Sequence, residues 1–107
     1  LLERKVDVNS VGGEFGTALE AAASGGDESL VEKLLRAGAL PNIKGGKHGT
    51  ALQAATWTGN LKLVQLLLEA GADPDIGGGT YYSTPIEAAI ISGKEEIVKL
   101  LLSNGAD

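Results

Sequence analysis

A six-residue stretch that occurs three times constrains the fold of this chain more than any other feature. Each copy begins with Thr, has Glu or Gln three residues later and ends in two alanines, and the copies start at Thr17, Thr50 and Thr84. The starts are 33 and 34 residues apart, and self-similarity at such a period is typical of stacked helical units. The sequence therefore predicts a solenoid with three complete units.

Each copy has the capping-box pattern of a helix start. The Thr side chain accepts a hydrogen bond from the N–H three residues on, and the Glu or Gln side chain returns to the Thr N–H. Each unit then continues through Gly into a Leu-rich helix with apolar residues at helical spacing. First helices are predicted over 18–24, 51–58 and 85–92, and second helices over 28–37, 61–70 and 95–103. The second-helix residues expected in the core are Leu30, Val31, Leu34 and Leu35, then Leu63, Val64, Leu67 and Leu68, then Ile97, Val98, Leu101 and Leu102.

The second half of each unit strengthens a resemblance to a known family. Leu66-Leu67-Leu68-Glu69-Ala70-Gly71-Ala72-Asp73 follows the paired Ala and the Gly, and with the period this resembles the ankyrin repeat over the whole chain. Glu20, Gln53 and Glu87 stand where that family usually has His. The resemblance implies an all-α, ankyrin-type solenoid of helix-turn-helix repeats with projecting β-hairpin loops. More narrowly, Gly12-Gly13-Glu14-Phe15-Gly16-Thr17 is similar to hairpins of long ankyrin arrays attached to nucleotide-binding receptors of filamentous fungi.

The repeat phase predicts one domain over residues 1–107. Residues 8–40, 41–73 and 74–107 are the three repeats, and residues 1–7 align with the end of a second helix. We therefore expect residues 1–7 to be the end of a truncated repeat and the chain to be a fragment of a longer array. As such a fragment, it is expected to be monomeric.

Composition restricts the partners and the compartment. The net charge is −5, from 9 basic and 14 acidic residues, which disfavours nucleic acid because phosphate binding depends on Lys and Arg. No apolar run approaches the ~18 residues of a membrane span, so no membrane partner is expected. The chain has no cysteine, which excludes disulfides and fits an intracellular protein, cytoplasmic or nuclear.

No residue pattern points to catalysis. The single His, His48, lies in a predicted hairpin, and no nucleophile motif accompanies it. Glu20 and Glu87 occupy the same repeat position, so they stand at least one repeat apart and their capping role explains them. Asp73 and Asp75 belong to a turn whose carboxylates satisfy local backbone amides. We expect no enzyme activity, no cofactor and no metal.

Bulky residues that do not recur are the candidates for binding. Trp57 falls where the other repeats have Ser24 and Ile91, at the end of the first helix, and Tyr81 falls where they have Glu14 and Lys47. Phe15, His48 and Tyr82 share the position two before the Thr, where packing within the hairpin is the alternative to binding. Trp57 could likewise fill space against an adjacent helix. The predicted partner-binding residues are Trp57, Tyr81, Tyr82, Ile91, His48, Lys47, Phe15 and Glu14.

These expectations favour protein–protein recognition, and the resemblance to ankyrin repeats implies that it occurs on the concave face formed by hairpin tips and first helices. Tyr and Trp are enriched among residues that dominate binding energy. With Lys47, His48 and Lys44 at its rim, such a surface suits an apolar anchor in a mildly acidic surround. The alternative is a structural spacer or oligomerisation segment of a larger multidomain receptor or signalling protein.

Overall fold

The chain forms three helix pairs arranged in sequence order. A computed structural model describes residues 9, 11–12, 16–46, 49–76 and 84–105. The helices within them are α1 (Ala18–Ser24), α2 (Glu28–Arg36), α3 (Ala51–Thr58), α4 (Leu61–Glu69), α5 (Pro85–Ile91) and α6 (Glu95–Ser103). The described part of the chain contains no strand, so the all-α fold predicted from the sequence is confirmed. Three of the helices, α2, α4 and α5, end one residue before the predicted boundary.

The three first helices begin at a threonine cap, as predicted. The Thr17 Oγ1 accepts from the Glu20 N–H at 3.1 Å, and Thr50 accepts from Gln53 at 3.2 Å. Thr84 does the same with Glu87 at 3.3 Å. The second bond of the capping box, from the Thr17 N–H to the Glu20 side chain, is predicted wrongly. Neither oxygen of the Glu20 carboxyl has a hydrogen-bond partner among the described residues.

The second helices begin at a different kind of cap. Asp27 Oδ1 accepts from the Leu30 N–H at 3.1 Å, and Asn60 Oδ1 accepts from Leu63 at 3.2 Å. Lys94 occupies this position before α6 and makes no side-chain cap. The asparagine and aspartate supply an acceptor to an otherwise unpaired helical N–H, whereas lysine has only donors.

The repeats stack through their first helices. α3 packs against α1 on one side and against α5 on the other, and the second helices pack less closely as α2, α4 and α6. The paired alanines of the second and third copies lie in these contacts, with Ala54, Ala55, Ala88 and Ala89 all 0% exposed. In the first copy Ala22 is 4% exposed and Ala21 is exposed. Small side chains let the helix backbones approach closely, and this explains why each copy of the six-residue stretch ends in alanines.

The predicted core is confirmed in the central repeat and wrong at two outer positions. Leu63, Val64 and Leu67 are 0% exposed, whereas Leu30 is 42% and Leu102 is 53% exposed. Leu30 lies on the side of α2 away from α4, and Leu102 lies on the side of α6 away from α4. In the central repeat a neighbour covers both sides. The error therefore arises because an amphipathic pattern does not indicate whether a repeat has a neighbour.

Two asparagines join successive loops. Asn42 Oδ1 accepts from the Asp73 N–H at 2.7 Å, and its Nδ2 donates to the Gly71 carbonyl at 3.1 Å. Asn9 makes the same pair of bonds to Leu40 and Gly38, at 2.7 and 3.3 Å. These bonds join the loop that precedes a helix pair to the loop that follows it.

The predicted hairpin loops are present only in part within the described residues. Gly45 and Gly49 form one antiparallel bridge, with the Gly45 N–H donating to the Gly49 carbonyl at 2.8 Å. Gly12 and Gly16 occupy the same repeat positions and make the same bond at 2.8 Å. Residues of the predicted hairpin tips lie outside the described residues.

Candidate protein-binding surface

One repeat position forms a row at the ends of the first helices, half-buried in α1 and exposed in α3 and α5. It holds Ser24 in α1, Trp57 in α3 and Ile91 in α5, and we call these three residues the first-helix row. Because α3 packs between α1 and α5, the three residues follow one another across adjacent helices. Packed helices lie about 8–10 Å apart, so one partner surface can contact all three.

Trp57 is the largest side chain of the row. It is 42% exposed, so its indole is partly packed against the protein and partly open to solvent. The threonines on either side of it bond within the same helix: Thr56 donates its hydroxyl to the Leu52 carbonyl and Thr58 to the Ala55 carbonyl, each at 2.8 Å. A partly anchored aromatic ring loses little side-chain entropy when a partner covers its open part.

Ile91 adds a second apolar side chain beside Trp57. It is 66% exposed, and its neighbour Ile90 is 60% exposed. The sequence analysis identified Ile91 but missed Ile90, whose equivalents Ala23 and Thr56 are both buried at 0%. The signal that could have identified Ile90 is its size, because a bulky residue replaces small ones at a position that other repeats bury.

A lysine lies at the end of α3 nearest Trp57. Lys94 fills the space where a side chain at Gly59 would begin: a Cβ atom added to Gly59 would lie 2.7 Å from Lys94 Cε and 3.0 Å from Lys94 Nζ. Lys94 therefore places its ammonium over the turn that follows α3, two residues beyond Trp57. The helix C-terminus carries a partial negative charge that favours a cation there. This cation was not among the predicted rim residues.

The remaining predicted site residues lie outside the described residues. These are Glu14, Phe15, Lys47, His48, Tyr81 and Tyr82. Their predicted role in binding stays a prediction. Lys44, the other predicted rim residue, is described and exposed.

One buried acid stands apart from the first-helix row. Glu20 is 1% exposed, and burial raises the pKa of its carboxyl from 4.5 to about 8. Its Oε2 lies against Gly16, where a Cβ would be 2.7 Å away. The carboxyl is therefore largely protonated near pH 7. Glu87 at the equivalent position of α5 is exposed, and α3 packs between α5 and the α1 helix that carries Glu20.

The described residues show neither a metal site nor a membrane span. No group of three His, Cys, Asp or Glu side chains among them is placed to hold a metal ion. Within the same residues, each helix is too short or too polar to cross a bilayer.

Comparison with known proteins agrees with the stacking of helix pairs. A family model of ankyrin repeats in three copies matches residues 1–78 and again residues 19–107, which together span the chain. A search of curated proteins finds no significant match.

Proposed function

The chain belongs to the ankyrin repeat family, and from this premise we propose that it binds a protein partner through the first-helix row and the adjoining hairpins. Ankyrin repeats generally act as protein–protein interaction modules and are typically non-enzymatic. The observation that carries the proposal is the exposed Trp57 beside the exposed Ile91. Neither residue recurs at this position, where the first repeat has Ser24.

The exposure values support binding better than a filling role. The central core leucines are 0% exposed, whereas Trp57 keeps 42% and Ile91 keeps 66% of their surface open. Tryptophan is enriched among the few residues that dominate binding energy. A side chain needed only to fill space between helices would be expected to be covered more fully.

Charge indicates the chemistry of the partner. Lys94 lies beside the end of α3, and the sequence places Lys47 and His48 in the hairpin before α3. We propose that the partner presents an apolar anchor surrounded by acidic residues. Opposite charges at the rim of an interface mainly speed association and favour the correct partner. We place this binding inside the cell, in the cytoplasm or nucleus, with neither nucleic acid nor membrane as the partner.

The experiment compares proteins captured by the wild-type chain and by matched variants. Trp57→Ala and Ile91→Ala alter the row, and Leu61→Ala alters a leucine of α4 that is 39% exposed and outside the row. A partner of the row is retained by Leu61→Ala and lost from both row variants. Loss of a central anchor costs about 2 kcal/mol or more, which is at least about tenfold in affinity.

Thermal unfolding distinguishes binding from packing. Ile91→Ala should leave the melting temperature close to that of the wild type, because Ile91 is mostly exposed. If Trp57→Ala strongly lowers the melting temperature while all captured proteins are retained, Trp57 is a packing residue. That outcome would favour the alternative function, a spacer or oligomerisation segment of a larger receptor or signalling protein. The uniform stacking of the three repeats is the observation in favour of that alternative.

A further inference from the structure

A buried carboxyl lies where the loop ahead of α1 meets the loop ahead of α3. We call these loops the first loop, residues 9–17, and the second loop, residues 40–49. The Glu20 carboxyl is 1% exposed and lies close to Gly16 of the first loop and Gly45 of the second. We propose that its acid form donates a hydrogen bond to the Gly45 carbonyl and holds the two loops together, and that loss of the proton separates them.

The two loops touch through their backbones. A Cβ atom added to Gly16 would lie 2.7 Å from the Gly45 carbonyl carbon and 2.9 Å from the Gly45 carbonyl oxygen. In the other direction, a Cβ atom added to Gly45 would lie 3.4 Å from Gly16 Cα. The absence of a side chain at Gly16 permits this approach. The contact joins the first repeat to the second outside the helices.

The Glu20 carboxyl borders the same point as the Gly45 carbonyl. The Cβ position at Gly16 lies 2.7 Å from Glu20 Oε2 and 2.9 Å from the Gly45 oxygen, so the two oxygens are neighbours there. A carbonyl oxygen and a carboxylate oxygen are both acceptors, and a hydrogen bond between them requires a proton on the carboxyl. The position of Glu20 therefore suits a carboxylic acid.

The described residues supply no donor to either group. Neither carboxyl oxygen of Glu20 accepts a hydrogen bond from them, and none of their backbone N–H groups donates to the Gly45 carbonyl. A carboxylate buried in this way is strongly disfavoured, whereas the acid form adds the missing donor. The raised pKa of the carboxyl, about 8 because of burial, agrees with an acid form at neutral pH.

The second repeat holds a permanent donor at the same position. Gln53 stands where the first repeat has Glu20 and is 2% exposed, and its amide carries N–H donors at every pH. A buried donor therefore fits this position of the repeat. At Glu20 the presence of the donor depends on a proton.

Few charged groups belong to the elements around Glu20. The helices α1 and α3 contain no other charged side chain. On the described part of the second loop Lys44 is exposed. Those of α2 and its cap are half-buried or exposed, namely Asp27, Glu28, Glu32, Lys33 and Arg36. The two loops also contain Glu14, Lys47 and His48, outside the described residues. Among these groups only His48 ordinarily titrates near neutral pH.

The loop contact adjoins residues that the sequence analysis assigned to binding. Phe15 precedes Gly16 directly, and His48 precedes Gly49, whose carbonyl accepts from the Gly45 N–H at 2.8 Å. A proton that sets the separation of the loops would also set how these side chains meet a partner. This consequence rests on the proposed function, whereas the proton-dependent contact does not.

The α-protons of Gly16 and Gly45 report the contact directly. A nuclear Overhauser effect between them can be recorded in heavy water, without exchangeable amides. In the wild type we expect this effect at about pH 6 and its loss at about pH 9.5, on either side of the carboxyl pKa. The carboxyl carbon of Glu20 should titrate with the same midpoint, and circular dichroism should show that the helices persist at both pH values.

Three variants separate the role of the proton from burial and from the histidine. Glu20→Gln keeps a donor at every pH and should show the effect under both conditions. Glu20→Met is uncharged, has no donor and should lack the effect under both. His48→Gln should behave like the wild type.

Several results would overturn the proposal. They are a wild type that keeps the effect at the higher pH, a Glu20→Gln variant that loses it there, and a Glu20→Met variant that shows it. A His48→Gln variant without the pH dependence would assign the titration to the histidine instead. Helices that unfold together with the loss of the effect would show global unfolding rather than separation of the loops. If Glu20→Met does not fold, the wild type and Glu20→Gln still decide the outcome.

Discussion

The buried carboxyl of Glu20 should make the chain less stable as the pH rises from mild acid to neutrality. The folded-state pKa of this carboxyl is raised from 4.5 to about 8 by burial. Between these two values the unfolded chain loses the proton while the folded chain keeps it. The unfolded state is therefore favoured progressively over this range, and the loss of stability levels off above about pH 8, where both states are ionised.

The size of the effect follows from the two pKa values. The free energy of unfolding falls by about 1.4 kcal/mol for each pH unit between the two pKa values. At pH 7 it is therefore about 3 kcal/mol lower than it would be with a neutral side chain. The substitution Glu20→Gln removes the ionisation. Gln53 occupies the equivalent position at 2% exposure, so a buried amide fits this site in the repeat. Any effect of the amide itself on stability is the same at every pH, so it does not alter how the stability difference between variant and wild type changes with pH.

The assay is urea unfolding of wild type and Glu20→Gln between about pH 5.5 and 8, above the isoelectric point near 4.8. The free energy of unfolding of Glu20→Gln, relative to that of the wild type, should rise by about 1.4 kcal/mol per pH unit. The matched control is Glu87→Gln, which makes the same change at the same repeat position on an exposed side chain. A Glu20→Gln difference that stays constant across this range would refute the reasoning.

Three further substitutions test the packing and the caps by urea unfolding at constant pH. Leu67→Ala should cost about 2–5 kcal/mol because Leu67 is 0% exposed; Leu102→Ala, at 53% exposure, is its control, and equal losses would contradict the assigned core. Thr50→Ala should cost about 1 kcal/mol by removing the cap of α3, and no loss would show that the cap is dispensable. Asn42→Ala removes two hydrogen bonds between loops and should cost about 1–3 kcal/mol; an unchanged midpoint would mean that these bonds do not stabilise the stack.

Local signals in the sequence explain why the helices could be predicted closely. A threonine cap and the apolar spacing that follows it act within one or two helical turns, so the starts of α1, α3 and α5 fall at the predicted residues. The repeat period then fixes how the helix pairs stack. The burial of Leu63 and Leu67 follows from these two signals together.

The errors concern properties that depend on distant parts of the chain. The exposure of Leu30 and Leu102 depends on whether a neighbouring repeat covers them. The orphaned carboxyl of Glu20 depends on its packing against Gly16, close to Gly45 of the following loop. The asparagine ties join residues 29 and 31 positions apart, and a single asparagine in a loop gives no sign of its distant partner. The sequence around Lys94 likewise gives no sign of its position beside α3, because that position results from the stacking of repeats.

Trp57 provides the most direct measurement of the central proposal because it is the only tryptophan in the chain. Fluorotryptophan incorporated at this position gives one fluorine NMR signal that a partner's own tryptophans cannot obscure. On titration with a partner captured by the wild type, we expect the signal to shift and to lose its sensitivity to a soluble paramagnetic quencher as the indole is covered. A saturated complex in which the shift and the quenching are both unchanged would contradict binding through the first-helix row.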